Sequence, residues 1–370
     1  MLDKLTSRIF FSQIERIVFL NSGNLYFREL NEFVSKISNH FVEGYKNFSV
    51  NDKEDLFDNQ HEKSSAILES LKSYIQNNAT ETTSLLFSGG KDSTLIAKLL
   101  VDSGTKVNAY HLMNANSSDD KKRYKLEKLE IISRNIGLNE LNIVYGAVPP
   151  ATHLEEYQNK LHTSPASIGL SNIFKSTEIK KDSSIWFAQG ADTLSNAVHT
   201  QQFYRLNNKQ ANAQDFKRML YKMSAKTYPT NVRFISYILT SLIIRKIKNQ
   251  LPINNISISN LSKIIGMFLI HTPFDSRFIY DISKINNLKV YNPFHNTEII
   301  RLFTKGVREL KVSDFQKLKP EIEDISQILG ISRLDFLSNS FGISLGSSKD
   351  HKNYMNEIYR IHQLNSLSIE

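Results

Sequence analysis

The chain of 370 residues is long enough for one large domain or two smaller ones, and its 40% hydrophobic and 22% charged residues are typical of a globular protein. The absence of cysteine excludes disulfides, thiolate metal sites and cysteine nucleophiles. The sequence has no 18-residue apolar stretch and no leader-like N-terminus, which predicts a cytoplasmic protein without a membrane partner. The net charge of +9 suits an anionic ligand; because the basic residues are scattered, nucleic acid is the less favoured partner, although the sequence leaves it open.

Residues 1–80 are predicted to form a small α+β segment. Two β-prone runs within residues 14–30 flank a Ser-Gly-Asn turn and predict a hairpin. The spacing of apolar residues predicts one helix from Leu30 to Tyr45 and another from Ser64 to Ile75. The polar residues 46–62 between these helices predict a loop or linker.

The most informative stretch follows this segment and combines an apolar run, a glycine-rich turn and the start of an amphipathic run. It predicts a strand at Ser84–Phe87, a tight loop and a helix over Thr94–Leu100. Backbone N–H groups in such a turn converge on one spot, where the helix dipole favours negative charge, and serine hydroxyls add donors. The residues predicted to bind a polyphosphate are Ser88, Gly89, Gly90, Lys91, Asp92 and Ser93. Because bare phosphate would repel the carboxylate of Asp92, that residue predicts a bridging Mg²⁺.

Strands and helices alternate after this motif. The predicted elements are strands at Lys106–Met113, Asn142–Tyr145 and Ser184–Ala188, and helices at Lys121–Ile136 and Ser167–Ile179. This alternation is typical of βαβ units and predicts an α/β fold with a doubly wound parallel sheet. Ligands bind to such sheets beyond the carboxyl ends of the strands, where both the glycine motif and residues 189–192 would lie.

From about residue 200 onward the chain is predicted to be mostly helical. The predicted helices are Phe203–Met223, Asn231–Lys248, Ser257–Phe268 and Glu298–Val307. We therefore predict a second unit, residues 81–370, that combines the parallel sheet with a helical C-terminal part.

A second candidate loop lies in residues 185–194, where an apolar run ends in a glycine turn, Gly190, followed by a carboxylate, Asp192. Two loops at one sheet edge, each with an aspartate, can hold Mg²⁺ between them, while phosphate oxygens complete its coordination shell. Gly190 belongs to the predicted nucleotide site. The alternative role of Asp192 is that of a helix N-cap.

Residues 88–93 resemble the SGGxDS motif of the ATP pyrophosphatases, or PP-loop enzymes, and residues 185–194 resemble the second nucleotide loop of their asparagine synthetase branch. Residues 162–167 and 291–300 resemble the Pro-containing loop and the Pro-Phe-Leu-Asp segment of that branch. The resemblance covers roughly residues 80–325. It departs from the branch at Thr193, where Glu is usual, and at His295-Asn296, where Leu-Asp is common.

The resemblance implies an adenine nucleotide α-hydrolase-like fold and an ATP-dependent ligase. Such an enzyme adenylates a carboxylate, releases pyrophosphate and joins the acyl group to an amine or ammonia, with ATP and Mg²⁺ as cofactors. Asp92 and Asp192 would be catalytic Mg²⁺ ligands, and backbone groups around Leu112 and Met113 would hold adenine.

The resemblance also implies a lysine that follows the Pro-Phe segment and stabilises the transition state. The sequence offers Lys317 and Lys319 and does not choose between them.

The chain has no cysteine-dependent glutaminase domain like that of the glutamine-using relatives. Nitrogen would then come from free ammonia, from a partner protein or from an amine on the substrate, and the carboxylate from a small molecule or a peptide. Two alternatives stay open: a tRNA-modifying PP-loop adenylase of the lysidine-synthase type, and a nucleotide-binding partner subunit without catalysis. Residues 110–114 match the lysidine-type pattern poorly, and His111 is interpreted as an ordinary strand residue.

Overall fold

The described residues of the computed structural model are 30–48, 56–146, 184–195, 258–268, 276–309 and 319–332, together with 170, 173–174, 179, 246–247, 334 and 336–337. Several predicted elements lie outside them: the hairpin within 14–30, the helix at 203–223, and nearly all of the helices at 167–179 and 231–248.

The N-terminal part contains helix α1 (Leu30–Phe48), strand β1 (Phe57–Asn59) and helix α2 (Gln60–Asn78). Both predicted helices are confirmed, and both are longer than predicted. The loop predicted at 46–62 is wrong at both ends, because α1 continues to Phe48 and a strand precedes α2.

A reciprocal cap begins α2 within the stretch that was predicted to be a loop. The Asn59 side chain accepts the Glu62 N–H at 3.0 Å, and the Glu62 carboxylate accepts the Asp58 N–H at 2.7 Å. Asn59 thereby caps an amide group of the first helical turn, and Glu62 satisfies the amide of the residue before the cap.

The central part follows the predicted alternation. Its elements are β2 (Thr82–Leu86), α3 (Lys91–Asp102), β3 (Lys106–Asn114), α4 (Asp119–Ile136), β4 (Glu140–Gly146), β5 (Ser184–Trp186) and α5 (Ala191–Leu194). Gly137 ends α4 in a left-handed conformation, φ 85°, where a residue with a Cβ would be strained. The predicted strands and helices of this part that lie within the described residues are therefore confirmed, with small changes at their ends.

The C-terminal part is a mixture of helices and short strands. Its elements are α6 (Ile258–Ile265), α7 (Arg277–Ile285), β6 (Lys289–Tyr291), α8 (Thr297–Thr304), β7 (Val307–Glu309) and α9 (Pro320–Ile328). The helix predicted over Glu298–Val307 ends at Thr304, because Lys305 is extended and Val307 pairs with Phe57 of β1 in a two-stranded parallel sheet.

In the described part of the chain, five parallel strands form one sheet in the order β4-β3-β2-β5-β6. The prediction of an α/β fold with a parallel sheet is confirmed. From β2 the chain adds β3 and β4 on one side, whereas β5 and β6 lie on the other side of β2. The strand order therefore reverses between β2 and β5, and the crevice beyond their carboxyl ends is where parallel sheets bind ligands.

Side chains from both sides of the predicted boundary at residue 80 lie in one hydrophobic core. Phe41 of α1 and Ile67 of α2 belong to the same buried cluster as Leu85 and Trp186 of the sheet. Trp186, the single tryptophan of the sequence, is fully buried and stacks on Tyr291 at 4.9 Å between ring centroids. Its fluorescence therefore reports on the packing of the core.

Among the described residues, no helix combines the length and the apolar character that a membrane crossing requires.

The first prediction concerns the contact between α1 and the turn after α6. A Cβ added at Gly44 would overlap the ring of Phe268. We expect Gly44→Ala to lower the free energy of unfolding by about 1–3 kcal/mol, because overpacking outweighs the higher helix propensity of alanine. Urea unfolding followed by Trp186 fluorescence measures this change. Asn39→Ala, at an exposed position of the same helix, is the control and should change stability by less than about 0.5 kcal/mol. Equal values for the two variants would contradict the packing of α1 on Phe268.

Candidate active site

Two loops meet at the point where the strand order reverses. The first follows β2 and leads into α3; the second follows β5 and leads into α5. Because β2 and β5 are neighbouring parallel strands, paired at Ser84–Ile185 and Leu85–Trp186, both loops leave the same edge of the sheet. The predicted placement of the two motifs at one sheet edge is therefore observed.

Two serine hydroxyls brace the first loop from within. The Ser88 and Ser93 hydroxyl oxygens lie 2.8 Å apart; Ser93 Oγ accepts the Ser88 N–H at 3.2 Å, and Ser88 Oγ accepts the Gly90 N–H at 3.1 Å. The sequence predicted these hydroxyls only as donors to a ligand. Their contacts show a second role, because they hold the loop in one conformation.

Gly89 fits a position that tolerates no side chain. Its φ is +74°, and a Cβ would lie 2.8 Å from Leu129 of α4 and 2.9 Å from Leu337. Its carbonyl accepts the Leu337 N–H at 2.9 Å. The loop is thus held between α4 and a segment that follows α9.

Gly90 is the N-cap of α3 and, lacking a side chain, leaves the amide groups of the first turn without a side-chain cap. Such groups, together with the positive end of the helix dipole, favour an anion. The Lys91 side chain points elsewhere: its ammonium lies 3.0 Å from a Glu323 carboxylate oxygen and 5.9 Å from the centre of the Phe336 ring. The predicted phosphate contact of Lys91 is therefore left to its backbone N–H.

Asp92, Asp192 and Lys319 form the charged centre of the site. Lys319 Nζ lies 2.9 and 2.7 Å from the two Asp92 carboxylate oxygens and also contacts the Asp192 carboxylate. Asp92 comes from the first turn of α3, Asp192 from α5, and Lys319 is the residue before α9. The predicted convergence of the two aspartates is observed, and Lys319 joins them. The other lysine candidate, Lys317, lies outside the described residues, as do residues 162–167.

Asp192 is not a helix N-cap, which was its alternative role. The N-cap of α5 is Gly190, with φ +101°, and Asp192 is the second helical residue. A Cβ at Gly190 would lie 3.1 Å from the Met267 side chain, so this turn also requires glycine. Thr193, at the position where the resemblance led us to expect Glu, is fully buried.

Burial and neighbouring charge perturb the ionisation of this centre. Burial raises the pKa of Asp92 to about 7; Lys319 opposes this shift, and nearby Asp192 adds to it. Burial alone would lower the pKa of Lys319, but the two aspartates outweigh it and hold that pKa above its ordinary value. Two carboxylates this close are stabilised by a shared proton or by a cation, and the ammonium of Lys319 supplies one positive charge.

The donor set fits Mg²⁺. Carboxylate oxygens are the ligands that Mg²⁺ prefers, and the ion usually takes one or two of them and completes its shell with water and substrate phosphate. Within the described residues, no group of three or more His, Asp or Glu side chains could hold a metal ion by itself. Asp92 and Asp192 would therefore hold the ion together with a phosphate ligand. The ion and the Lys319 ammonium would together neutralise the two carboxylates.

Leu112 and Met113 were predicted to hold adenine through backbone groups. Only the backbone groups of Leu112 point to the side of β3 that β2 leaves open. Strand β3 continues past the end of β2: the last pair is Leu86–Tyr110, and Phe87 N–H donates to the Tyr110 carbonyl at 2.9 Å. Because backbone groups alternate along a strand, those of Leu112 face the same side as those of Tyr110, beyond β2. The backbone groups of Met113 face β4 instead.

His111 ties β3 to the base of the first loop. Its side chain is 6% exposed, and its Nδ1 lies 2.9 Å from the Phe87 carbonyl oxygen, to which it donates. Burial lowers the pKa of His111 to about 4, with a weaker opposing effect of the bond to Phe87. The interpretation of His111 as a strand residue is confirmed by its place in β3.

Sequence reasoning missed a polar cluster that supports the second loop. Tyr280 and His295 share a hydrogen bond of 3.0 Å, Ser276 donates to the Gln189 side chain at 3.2 Å, and Asn292 donates to the Gln189 carbonyl at 2.9 Å. The Pro-Phe segment at 293–294 indicated this region. Ser276 and Tyr280 carried no signal, because only the tertiary fold brings α7 to the loop.

Comparisons with known proteins assign no family. No protein-family model matches the chain, and no curated protein matches it at a significant level. Function must therefore be argued from the site.

The second prediction isolates the packing of Gly89. Gly104 has a similar φ, +86°, but a Cβ there would meet no atom within 4 Å. Gly89→Ala and Gly104→Ala should therefore share the left-handed strain of about 1–2 kcal/mol, while only Gly89→Ala also collides with Leu129 and Leu337. We expect Gly89→Ala to be the less stable variant by a further 1–3 kcal/mol or so, measured by urea unfolding. Equal losses would show that the loop is not packed as described.

The third prediction concerns the pH dependence of stability. The pKa of His111 is about 4 in the fold and ordinarily 6.5, so between these values the unfolded chain binds a proton that the folded chain does not. Stability contributed by neutral His111 should thus fall by about 2 kcal/mol as the pH drops from about 7 to 5.

His111→Asn keeps an N–H donor for the Phe87 carbonyl but cannot titrate in this range. Unfolding free energies of both proteins at the two pH values measure the effect, and the opposite pH dependence of Asp92 cancels in the comparison. A difference between the two proteins that does not change with pH would contradict a buried neutral His111.

Proposed function

We propose that the chain is an ATP-dependent C–N ligase of the PP-loop ATP pyrophosphatase superfamily, asparagine synthetase-like, with a doubly wound sheet. The single observation that carries this proposal is the convergence of Asp92, Asp192 and Lys319 beside the glycine loop. Residues far apart in the sequence meet where the strand order reverses, which is the expected place for a nucleotide.

Each part of the site has a role in holding ATP. The loop amides and the first turn of α3 bind the phosphates, and the backbone of Leu112 faces the position proposed for adenine. Asp92 and Asp192 hold Mg²⁺, which when bound neutralises phosphate charge. Ser88 and Ser93 keep the loop in its binding conformation through their mutual hydrogen bond.

The reaction proceeds in two steps. A substrate carboxylate oxygen attacks the α-phosphorus, the bond from that phosphorus to the bridging oxygen breaks, and pyrophosphate leaves. An amine or ammonia then attacks the carbonyl carbon of the acyl-adenylate, AMP leaves, and the nitrogen loses a proton. Binding both substrates side by side removes most of the entropic barrier of encounter.

Lys319 is the proposed catalytic cation. Its ammonium is largely buried, with 19% of the side chain exposed, so it acts in a medium where charge is screened weakly. A fixed cation beside developing negative charge lowers an activation barrier by several kcal/mol. The two aspartates fix the ammonium in position, and their charge keeps it protonated.

A nucleotide-binding subunit without chemistry is the less favoured alternative. Lys319 and Asp92 are both largely buried, with 19% of each side chain exposed, and placing such charges in the interior costs folding free energy that apolar residues of similar size would not. The presence of these charged groups together therefore favours catalysis. The tRNA-modifying alternative shares the adenylation step and differs only in the acceptor.

The fourth prediction tests the reaction. With Mg-ATP and a panel of carboxylates with ammonia or amines, peptides, or tRNA, the protein should release pyrophosphate and AMP. Asp92→Asn, Asp192→Asn and Lys319→Met should each lower the rate about 10²–10³-fold, because each removes charge complementary to the transition state. Lys98→Met, a change of a partly exposed lysine on α3 that pairs with Asp102, is the matched control and should keep the full rate.

ATP labelled separately at the α- and γ-phosphorus identifies the bond that breaks. Release of inorganic phosphate in place of pyrophosphate would overturn attack at the α-phosphorus. Full activity of any of the three site variants would overturn the assignment of that residue.

A further inference from the structure

The start of α9 carries three charged side chains, each held by a different part of the molecule. Lys319 contacts the two aspartates of the candidate site, Glu323 pairs with Lys91 at 3.0 Å, and Glu321 lies in the core among buried lysines. Lys319 and Glu321 are separated only by Pro320, whose ring fixes the backbone at the first helical position. The position of Lys319 therefore depends on where Glu321 is held.

Glu321 joins α9 to three other helices. It is 1% exposed, and one carboxylate oxygen lies 3.1 Å from Lys63 Nζ of α2 and 3.9 Å from Lys263 Nζ of α6. Both lysines also donate to the Phe303 carbonyl in the last turn of α8, at 3.0 and 2.6 Å. The Glu321 carboxylate and the two lysines therefore connect α9 with α2, α6 and α8.

This cluster is charged, although it is buried. Burial by itself would raise the pKa of Glu321, but Lys63 and Lys263 outweigh that effect and hold the pKa below its ordinary value. Replacing such a cluster with apolar side chains is often neutral or stabilising, whereas removing one partner is strongly destabilising. Stability alone therefore gives no reason for the cluster, whereas a role in holding the start of α9 in place does.

We propose that Glu321, held by Lys63 and Lys263, is the residue that positions Lys319 against Asp92 and Asp192. This inference rests on the proposed role of Lys319 in the reaction. Glu321 touches neither ATP nor the reacting atoms; it acts through the rigid link of Pro320 and through the first helical turn, where Glu323 N–H donates to the Lys319 carbonyl at 2.8 Å. Glu323 itself forms a partly exposed pair, and such pairs constrain position weakly.

The fifth prediction uses a measurement that needs no substrate. Acylation of lysines in the native protein, quantified by mass spectrometry, reports how accessible each ammonium is. Glu321→Gln keeps the shape of the side chain and removes its charge, so the anchored turn should loosen and acylation of Lys319 should rise several-fold. Glu323→Gln, the matched control on the same turn, should leave Lys319 acylation essentially unchanged. Circular dichroism and Trp186 fluorescence identify variants that retain the native fold.

Kinetics give the second measurement. Glu321→Gln should lower kcat for pyrophosphate release by about 10²-fold, the effect of misplacing a catalytic group by about 1 Å, with little change in KM for ATP. In a Lys319→Met background the same substitution should have no further effect on kcat, because the group that it positions is gone. A merely structural role would lower kcat equally in both backgrounds.

The outcomes separate the two proposals. Unchanged Lys319 acylation in folded Glu321→Gln, or equal kcat losses in both backgrounds, would overturn the positioning role. No pyrophosphate release by the wild-type protein with any substrate would overturn the proposed function, while the acylation measurement would still decide the positioning. If Glu321→Gln does not fold, Lys63→Met replaces it, since it removes the 3.1 Å partner; unchanged Lys319 acylation there overturns the inference as well.

Discussion

The rest of the site depends on one electrostatic constraint: two neighbouring carboxylates, of which Asp92 is largely buried, repel each other unless a positive charge or a proton lies between them. Asp92 and Asp192 lie in the first turns of helices that follow neighbouring parallel strands, so the sheet brings both helix starts to the same edge. Lys319 reaches them from the start of α9 and links the helical C-terminal part to the sheet edge. The loop conformations, the buried anchor of α9 and the ionisation of the centre all serve to satisfy this constraint.

The main strands of the sheet and the helices between them could be predicted because runs of neighbouring residues determine them. Strand β2, the glycine loop and α3 follow directly from an apolar run, two glycines and an amphipathic run, and Gly137 marked the end of α4. The strand at 57–59 was missed because it exists only through pairing with β7, far along the chain. For the same reason the helix predicted to reach Val307 was too long: a β-branched residue there gains more from a strand partner than from one more helical turn.

In the candidate site, too, some features follow from local sequence and others depend on the tertiary fold. Asp92, Asp192 and the glycine loop could be found from residue types and their order along alternating strands. The direction of Lys91 toward Glu323, and the choice of Leu112 over Met113, depend on packing and strand register that the sequence did not reveal. The sequence analysis made no prediction for Glu321, and only the fold shows that two lysines from distant helices lie beside it.

An internal ammonium between the two aspartates also affects how the chain folds when no metal ion is bound. Acidic pairs that rely wholly on a bound ion tend to repel each other until the ion arrives, which ties maturation to metal supply. Here the chain carries its own counter-charge in Lys319. Under the proposed function, Lys319 would let the fold form without the ion, which would then be required only for the reaction.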